Sequence, residues 1–211
     1  MSKDQISKVQ KFFEARIQDL KKELENLENY LKIEELNKQI KLIDDEWKSV
    51  VENHPAPLKL IILAEAPLKY EKYFYKNQAT FLDSLRSHWE LDSNANLPAK
   101  MIEKGVLLLD IYKYPLPSQF YKKDEGDVLY DDNYVSSKIN ILKSYNLIND
   151  STHFVFRYKQ LFNKKKLQAN DSLKKLIYIK DKNGEFVSFN QKEKPQVIND
   201  VVKVYLIKYC S

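Results

Sequence analysis

The stretch LKLIILAEAPLKYEKYFY, residues 58–75, decides the fold class of this chain. It begins with an apolar run that stops at Glu65, Ala66 and Pro67 and gives way to alternating aromatic and basic residues. A short apolar run with such a boundary is typical of a strand that is buried on both faces. We therefore predict a buried strand over Leu58–Leu63.

Three more apolar runs have the same character, and helical patterns separate the four. The other predicted strands are Val106–Asp110, His153–Arg157 and Leu173–Ile179, and helices are predicted over 79–89, 98–104, 132–146, 159–168 and 196–209. Strands that alternate with helices and are apolar on both faces predict a parallel sheet with helices on each side. The predicted class is a three-layer α/β/α fold with a four-stranded, mainly parallel sheet. The Asn183-Gly184 turn signal predicts that residues 185–189 return as an antiparallel edge.

We predict helix for residues 2–52. They contain no Gly or Pro, and their apolar positions recur in steps of three and four. The stripe changes phase within NYLKIEELN, residues 29–37, which fits a helical hairpin or one long helix whose stripe changes face. We predict the hairpin, serving as a coiled-coil arm for dimerisation, for another protein partner or for packing on the rest of the chain. Pro55 and Pro57 end the helix, so the predicted domains are 1–53 and 54–211.

Composition narrows the classes of function. The 211 residues carry a net charge of +5 and hold one cysteine, three histidines and three scattered glycines. These numbers argue against a disulfide framework, an iron–sulfur or zinc site, a Ser-His-Asp triad and a glycine-rich phosphate loop, so we expect no cofactor and no metal. No stretch is apolar enough for a membrane span and the N-terminus lacks a signal-peptide core, so we expect a cytoplasmic protein.

The positive charge is unevenly distributed. Residues 1–53 hold 10 basic and 12 acidic side chains, whereas residues 54–211 hold 25 basic and 18 acidic ones. Clustered positive charge favours a polyanionic partner such as DNA, because binding releases counterions from the phosphates. The alternative is that these lysines are simply solvated.

The candidate site follows from the predicted sheet, since ligands of open parallel sheets bind beyond the carboxyl ends of the strands. Acids, aromatics and bases follow the predicted strands: Glu65, Asp110, Phe74, Tyr75, Tyr112, Arg157, Tyr158, Lys159, Lys164, Lys165 and Lys166. Aromatic rings can stack on a base, carboxylates can accept from an amino group or orient water, and lysines can hold phosphate. The alternative is ordinary packing by the aromatics, and helix capping or lysine pairing by the acids.

The combination of LIILAEAP (60–67), YFY (73–75) and LLLD (107–110) resembles the uracil-DNA glycosylase superfamily. The resemblance implies an α/β/α fold with a four-stranded parallel sheet and a site that excises a flipped base. It further implies that 65–67 form the turn that positions the attacking water. Phe74 or Tyr75 would take the stacking position, and Asp110 would stand where the family has a base-reading Asn.

The chain departs from that family at several motif positions. Ala64 and Leu68 replace glycines, Ala66 stands where many relatives have a catalytic Asp, and Arg157-Tyr158-Lys159 follows the third strand where a His-Pro-Ser loop is expected. An ionised Asp110 only accepts hydrogen bonds, which favours a base edge with an amino group, such as cytosine or adenine, or a role as base toward water.

Three functions remain open from the sequence. The leading one is a diverged glycosylase-like protein that binds a base or nucleotide and hydrolyses an N-glycosidic bond with Glu65 and Asp110. The second is an inactive nucleic-acid or protein adaptor assembled through the helical arm. The third is a small-molecule hydrolase that uses both carboxylates, for which a metal requirement would be diagnostic.

Overall fold

The computed structural model describes residues 7, 9, 33–54, 57–67, 70–77, 83–115, 130–158, 161, 168–191, 194 and 196–210. Within these residues a four-stranded sheet is surrounded by helices. In chain order the elements are α1 (Ile33–Glu52), β1 (Leu60–Ala64), a 3₁₀ turn (Tyr70–Lys72), α2 (Phe74–Asn77), α3 (Asp83–His88), α4 (Leu97–Glu103), β2 (Val106–Asp110), α5 (Asp132–Ser144), β3 (His153–Phe156), α6 (Asp171–Lys174), β4 (Ile177–Tyr178) and α7 (Asp200–Tyr209).

The sheet is parallel throughout, with strand order β2-β1-β3-β4. The register places Ala64 of β1 opposite Asp110 of β2, and Leu63 of β1 opposite Phe156 of β3. The chain runs outward from β1 to β2 and then returns to β3 on the other side of β1. The predicted α/β class with a four-stranded parallel sheet is confirmed, and the point where the strand order reverses lies between β1 and β3.

The local sequence explains how the elements begin and end. Four helices start after an Asn or Asp whose side chain accepts a hydrogen bond from a backbone N–H of the first turn, namely Asn96, Asp131, Asn170 and Asn199. Gly105 adopts a positive φ of 72° between α4 and β2, and an added Cβ would lie 3.1 Å from Cγ of Lys59. This glycine lets the chain turn sharply into the buried strand.

Helix α1 belongs to the same core as the sheet. Its inward face carries Leu36, Ile40, Ile43, Trp47 and Val51, all of which are buried. The apolar stripe predicted for this segment therefore packs against other parts of the same chain. The rest of the predicted hairpin lies outside the described residues, and so does most of the helix predicted over 159–168.

The fourth strand is shorter than predicted. The apolar run that starts at Leu173 begins inside α6, because Asn170 caps that helix and accepts from the Leu173 N–H at 2.9 Å. Only Ile177 and Tyr178 pair with β3. The predicted return is present, since Lys180 and Phe186 form an antiparallel bridge around Gly184.

Among the helices that the structure describes, none combines the length and the apolar character that crossing a membrane requires.

Candidate active site at the strand ends

The strands β2, β1 and β3 end side by side, and the strand order reverses between β1 and β3. The Tyr112 N–H donates to the carbonyl of Glu65 at 2.9 Å, and the Arg157 N–H donates to the carbonyl of Leu63 at 2.8 Å. These bonds hold the segments after β2 and β3 against the end of β1. Ligands of doubly wound sheets bind at such a switch point, so Glu65, Asp110 and Arg157 stand where the fold favours a site.

Asp110, the last residue of β2, is an acid held in the protein interior. Only 6% of the residue is exposed. Burial raises the pKa of Asp110 to about 7, an effect that the nearby cations Lys138 and Arg157 oppose and the carboxylate of Asp44 reinforces. Asp110 therefore exchanges its proton near neutral pH, as an efficient general acid or base does.

Lys138 of α5 provides a buried positive charge next to this acid. Its Nζ lies 2.7 Å from Oδ1 of Asp44 and 3.9 Å from the ring centroid of Trp47, and the Tyr134 hydroxyl donates to the same Asp44 oxygen at 3.3 Å. Burial lowers the pKa of Lys138, whereas Asp44 and Asp110 raise it. The ammonium thus lies in the fields of two carboxylates, one on α1 and one on β2.

A cavity of 380 Å³ lies between α1 and α5. Asp44, Trp47, Tyr134 and Lys138 contribute to its wall, together with the charged side chains of Lys48 and Asp131. Lys138 therefore faces this cavity while its charge also acts on Asp110.

Arg157 connects the two acids predicted for the site. Burial lowers the pKa of its guanidinium, and Tyr158, Asp110 and Glu65 oppose that shift. The guanidinium also lies 4.5 Å from the ring centroid of Tyr158, a cation–π contact. The guanidinium thus lies in the fields of Glu65 and Asp110 and packs on the ring of Tyr158.

Three of the aromatic residues predicted to bind the substrate occupy a different environment, namely Phe74, Tyr75 and Tyr112. Phe74 and Tyr112 are almost completely buried. Phe74 packs edge-on against Tyr75 with centroids 5.2 Å apart, and Tyr112 packs edge-on against Tyr130 at 6.0 Å. Their rings form part of the core beneath the strand ends, and these contacts do not support a stacking role.

Tyr75 has a specific bond to the sheet. Its hydroxyl donates to the Leu108 carbonyl at 2.9 Å and accepts from the Leu108 N–H at 2.6 Å. Leu108 is in β2, the outer strand of the sheet on this side, so the hydroxyl satisfies both backbone groups where no further strand of the described sheet pairs with them.

Tyr75→Phe should therefore lower the free energy of unfolding by about 1–3 kcal/mol, because it leaves a buried N–H and C=O without this partner. Urea denaturation of both proteins measures the difference. Tyr209→Phe, which alters a half-exposed ring at the end of α7, is the matched control and should change stability by less than about 0.5 kcal/mol. Equal stability of the Tyr75 variant and the unmodified protein would contradict the inferred bond.

The remaining predicted residues cannot be placed, since Lys159, Lys164, Lys165 and Lys166 lie outside the described residues. Two charged residues that act on Asp110 were not predicted, Asp44 and Lys138, whereas Tyr73 belongs to the aromatic segment that follows β1. Burial and the charge of Asp110 raise the pKa of Tyr73 well above its ordinary value. A sequence signal existed for Asp44 and Lys138, because they are charged residues at positions where helical spacing places apolar ones.

The arrangement suits acid–base and electrostatic chemistry. A buried acid that titrates near pH 7 can take a proton from water or donate to a base edge, and a guanidinium can stabilise developing negative charge. In the part of the chain that the structure describes, no group of three His, Cys, Asp or Glu side chains is arranged to hold a metal ion.

No protein-family model, no curated protein and no solved structure matches this chain.

Proposed function

We propose that this protein binds a nucleic-acid base at the strand ends and hydrolyses its N-glycosidic bond, as a diverged relative of the uracil-DNA glycosylase superfamily. The observation that carries the proposal is the buried acid Asp110, whose pKa is raised to about 7, beside the guanidinium of Arg157. The basic excess of residues 54–211 supports a nucleic-acid partner.

In the proposed reaction, water attacks C1′ of the sugar while the bond from C1′ to the base nitrogen breaks. The electron pair of that bond leaves with the base, and Arg157 stabilises its negative charge. Asp110 in its ionised form takes the proton of the attacking water. Glu65 stabilises the positive charge that develops on the sugar, and Tyr158, which packs on Arg157, borders the base.

An alternative role for Asp110, in place of the base toward water, is base reading that depends on pH. Below pH 7 its protonated carboxyl has one donor and one acceptor, as an asparagine amide does, and so matches the carbonyl and N–H of uracil. Above pH 7 the carboxylate only accepts and prefers the amino group of cytosine or adenine.

We therefore expect the preference among bases to change as the pH crosses about 7. Oligonucleotides of one sequence, each with a single uracil, cytosine or adenine at the test position, are incubated with the protein below and above this pH. Abasic sites are then cleaved and counted. Uracil should be favoured at the lower pH and an amino-bearing base at the higher pH.

Asp150→Asn is the matched control, because Asp150 is exposed on the loop before β3 and should leave the pH at which the preference changes where it is. Binding to single-stranded DNA, measured in parallel, should weaken as salt rises. The proposal would be refuted if the protein produced no abasic sites and showed no salt-dependent DNA binding at every pH tested.

One observation favours the adaptor alternative. Helix α7 exposes two large apolar side chains one turn apart, Val204 at 65% and Ile207 at 64% exposure, and Tyr209 at the end of the helix is 44% exposed. Exposed apolar patches mark protein interaction sites. Salt-dependent DNA binding without abasic sites, together with a concentration-dependent mass that Ile207→Asp abolishes, would support the adaptor in place of the enzyme.

A further inference from the structure

A second cavity lies on the far side of the sheet, at the β4 edge. Its volume is 520 Å³, within the range of small-molecule sites, and its wall contains Phe156, Tyr178 and Phe186. The rings of Phe156 and Tyr178 are nearly parallel, with an angle of 8° between their planes and 5.4 Å between their centroids. The ring plane of Phe186 is inclined by 88° to that of Tyr178, and their centroids are 5.3 Å apart. The wall of this aromatic groove therefore contains rings in two orientations.

The aromatic groove is separate from the site at Asp110. Successive residues of a strand point to opposite faces, and the register pairs Leu63 with Phe156 but Ala64 with Asp110. Phe156 and Asp110 therefore lie on opposite faces of the sheet. Tyr178 and Asp110 are in addition three inter-strand spacings apart, which amounts to about 14 Å.

Two lysines give the aromatic groove a positive charge. Lys174 and Lys180 both contribute to its wall, with no acidic residue among the described lining residues. Nζ of Lys180 lies 4.9 Å from the ring centroid of Phe186, and Nζ of Lys174 lies 3.3 Å from Asp171 in an exposed ion pair. A charge of this sign beside stacked rings is complementary to a planar ligand that carries an anionic group.

We infer that the aromatic groove binds a mononucleotide, with its base stacked on the ring of Tyr178 or Phe186 and its phosphate held by Lys174 and Lys180. Stacking supplies affinity without demanding one particular base, because every base has a π face. The lysines add the requirement for a phosphate, since an ammonium recognises it as a point charge. This site is independent of the proposed reaction at Asp110.

Calorimetric titration of the full chain with AMP, adenosine and ribose 5-phosphate tests the inference. AMP should bind more tightly than either of the other two compounds. Phe186→Ala should weaken AMP binding by at least about fivefold, and Phe186→Leu, which retains apolar bulk, should weaken it too if the ring face matters. Lys180→Ala should lower the affinity for AMP to nearly the affinity for adenosine. Lys182→Ala, on the same turn, should leave the affinity for AMP unchanged.

Circular dichroism of each variant verifies that the fold is intact. AMP affinity that is unchanged by Phe186→Ala, Phe186→Leu and Lys180→Ala, or AMP binding that does not saturate, would overturn the inference. AMP binding that is lost in Asp110→Asn but kept in the groove variants would also overturn it, and would place the nucleotide at the strand ends in accord with the proposed function.

Discussion

Asp110→Asn should raise the free energy of unfolding by about 4 kcal/mol above pH 7. The reason is that the folded protein holds this acid in its interior, where ionisation is unfavourable, while asparagine is never ionised. The same variant should have nearly the stability of the unmodified protein as the pH falls toward 3.8, because Asp110 is then protonated in the folded state. Urea denaturation across this pH range measures the difference.

The direction follows from proton binding. The unfolded chain releases the proton of Asp110 with a pKa of 3.8, and the folded chain releases it at about 7. Between these values the folded state binds more protons, so its stability falls as the pH rises. Asp150→Asn removes an exposed carboxylate and is the control. If Asp110→Asn raised the free energy of unfolding by the same amount at every pH, the inferred burial of the charge would be contradicted.

The same substitution should impair the proposed chemistry. Removing a general base lowers the rate of a reaction by about 10²–10⁴-fold, so abasic-site formation should decrease while the protein becomes more stable. If Asp110 only reads the base, the variant should instead retain its rate and become selective for uracil at every pH. Rates measured on the uracil and cytosine oligonucleotides separate the two roles.

Trp47→Ala should lower the free energy of unfolding by about 3–5 kcal/mol. Trp47 is 2% exposed and belongs to the core that α1 shares with the sheet. Its removal leaves a cavity and also takes the ring from beneath Nζ of Lys138. Chemical denaturation that is followed by circular dichroism measures the loss.

Lys41→Ala changes an exposed residue of the same helix and is the control, with an expected change within about 0.5 kcal/mol. If α1 instead folded as an arm without energetic connection to the sheet, Trp47→Ala would leave the main unfolding transition where it is. The experiment thus measures how strongly this part of the predicted 1–53 domain is coupled to the rest.

The sheet could be predicted from the sequence because its strands carry a local signal. β1 is a continuous apolar run, β2 is apolar up to its last residue Asp110, and every residue of both strands is buried. β4 was placed less well, since Leu173–Ile179 mixes Lys174 and Lys175 with apolar residues, and this pattern does not separate the last turn of a helix from a strand. The cap at Asn170 decides that boundary in the structure.

The candidate site could be predicted only in part. Glu65, Asp110 and Arg157 were identified because each ends or follows a predicted strand, and parallel strands bring their carboxyl ends together. Lys138 and Asp44 come from helices that are distant in sequence, so their position beside Asp110 depends on tertiary packing. The buried state of Asp110, and with it the proton that Asp110 holds near pH 7, depends on the same packing.

The aromatic residues show that amino-acid type alone does not separate a binding site from a core. A run of tyrosines and phenylalanines after a strand has the amino-acid types of a stacking site and also those of a core. Phe74 and Tyr75 are buried in the structure, and the Tyr75 hydroxyl is bound to the backbone of Leu108. Only the accessible surface of each ring distinguishes the two cases, and a single sequence does not encode it directly.

The bond between Tyr75 and Leu108 also bears on how copies of this protein avoid one another in concentrated solution. An outer strand with unpaired N–H and C=O groups is a template for strands of other chains, and such pairing leads to aggregation. In β2 the hydroxyl of Tyr75 already occupies both groups of Leu108. A single phenol oxygen thereby satisfies both outward-facing backbone groups in the middle of this outer strand.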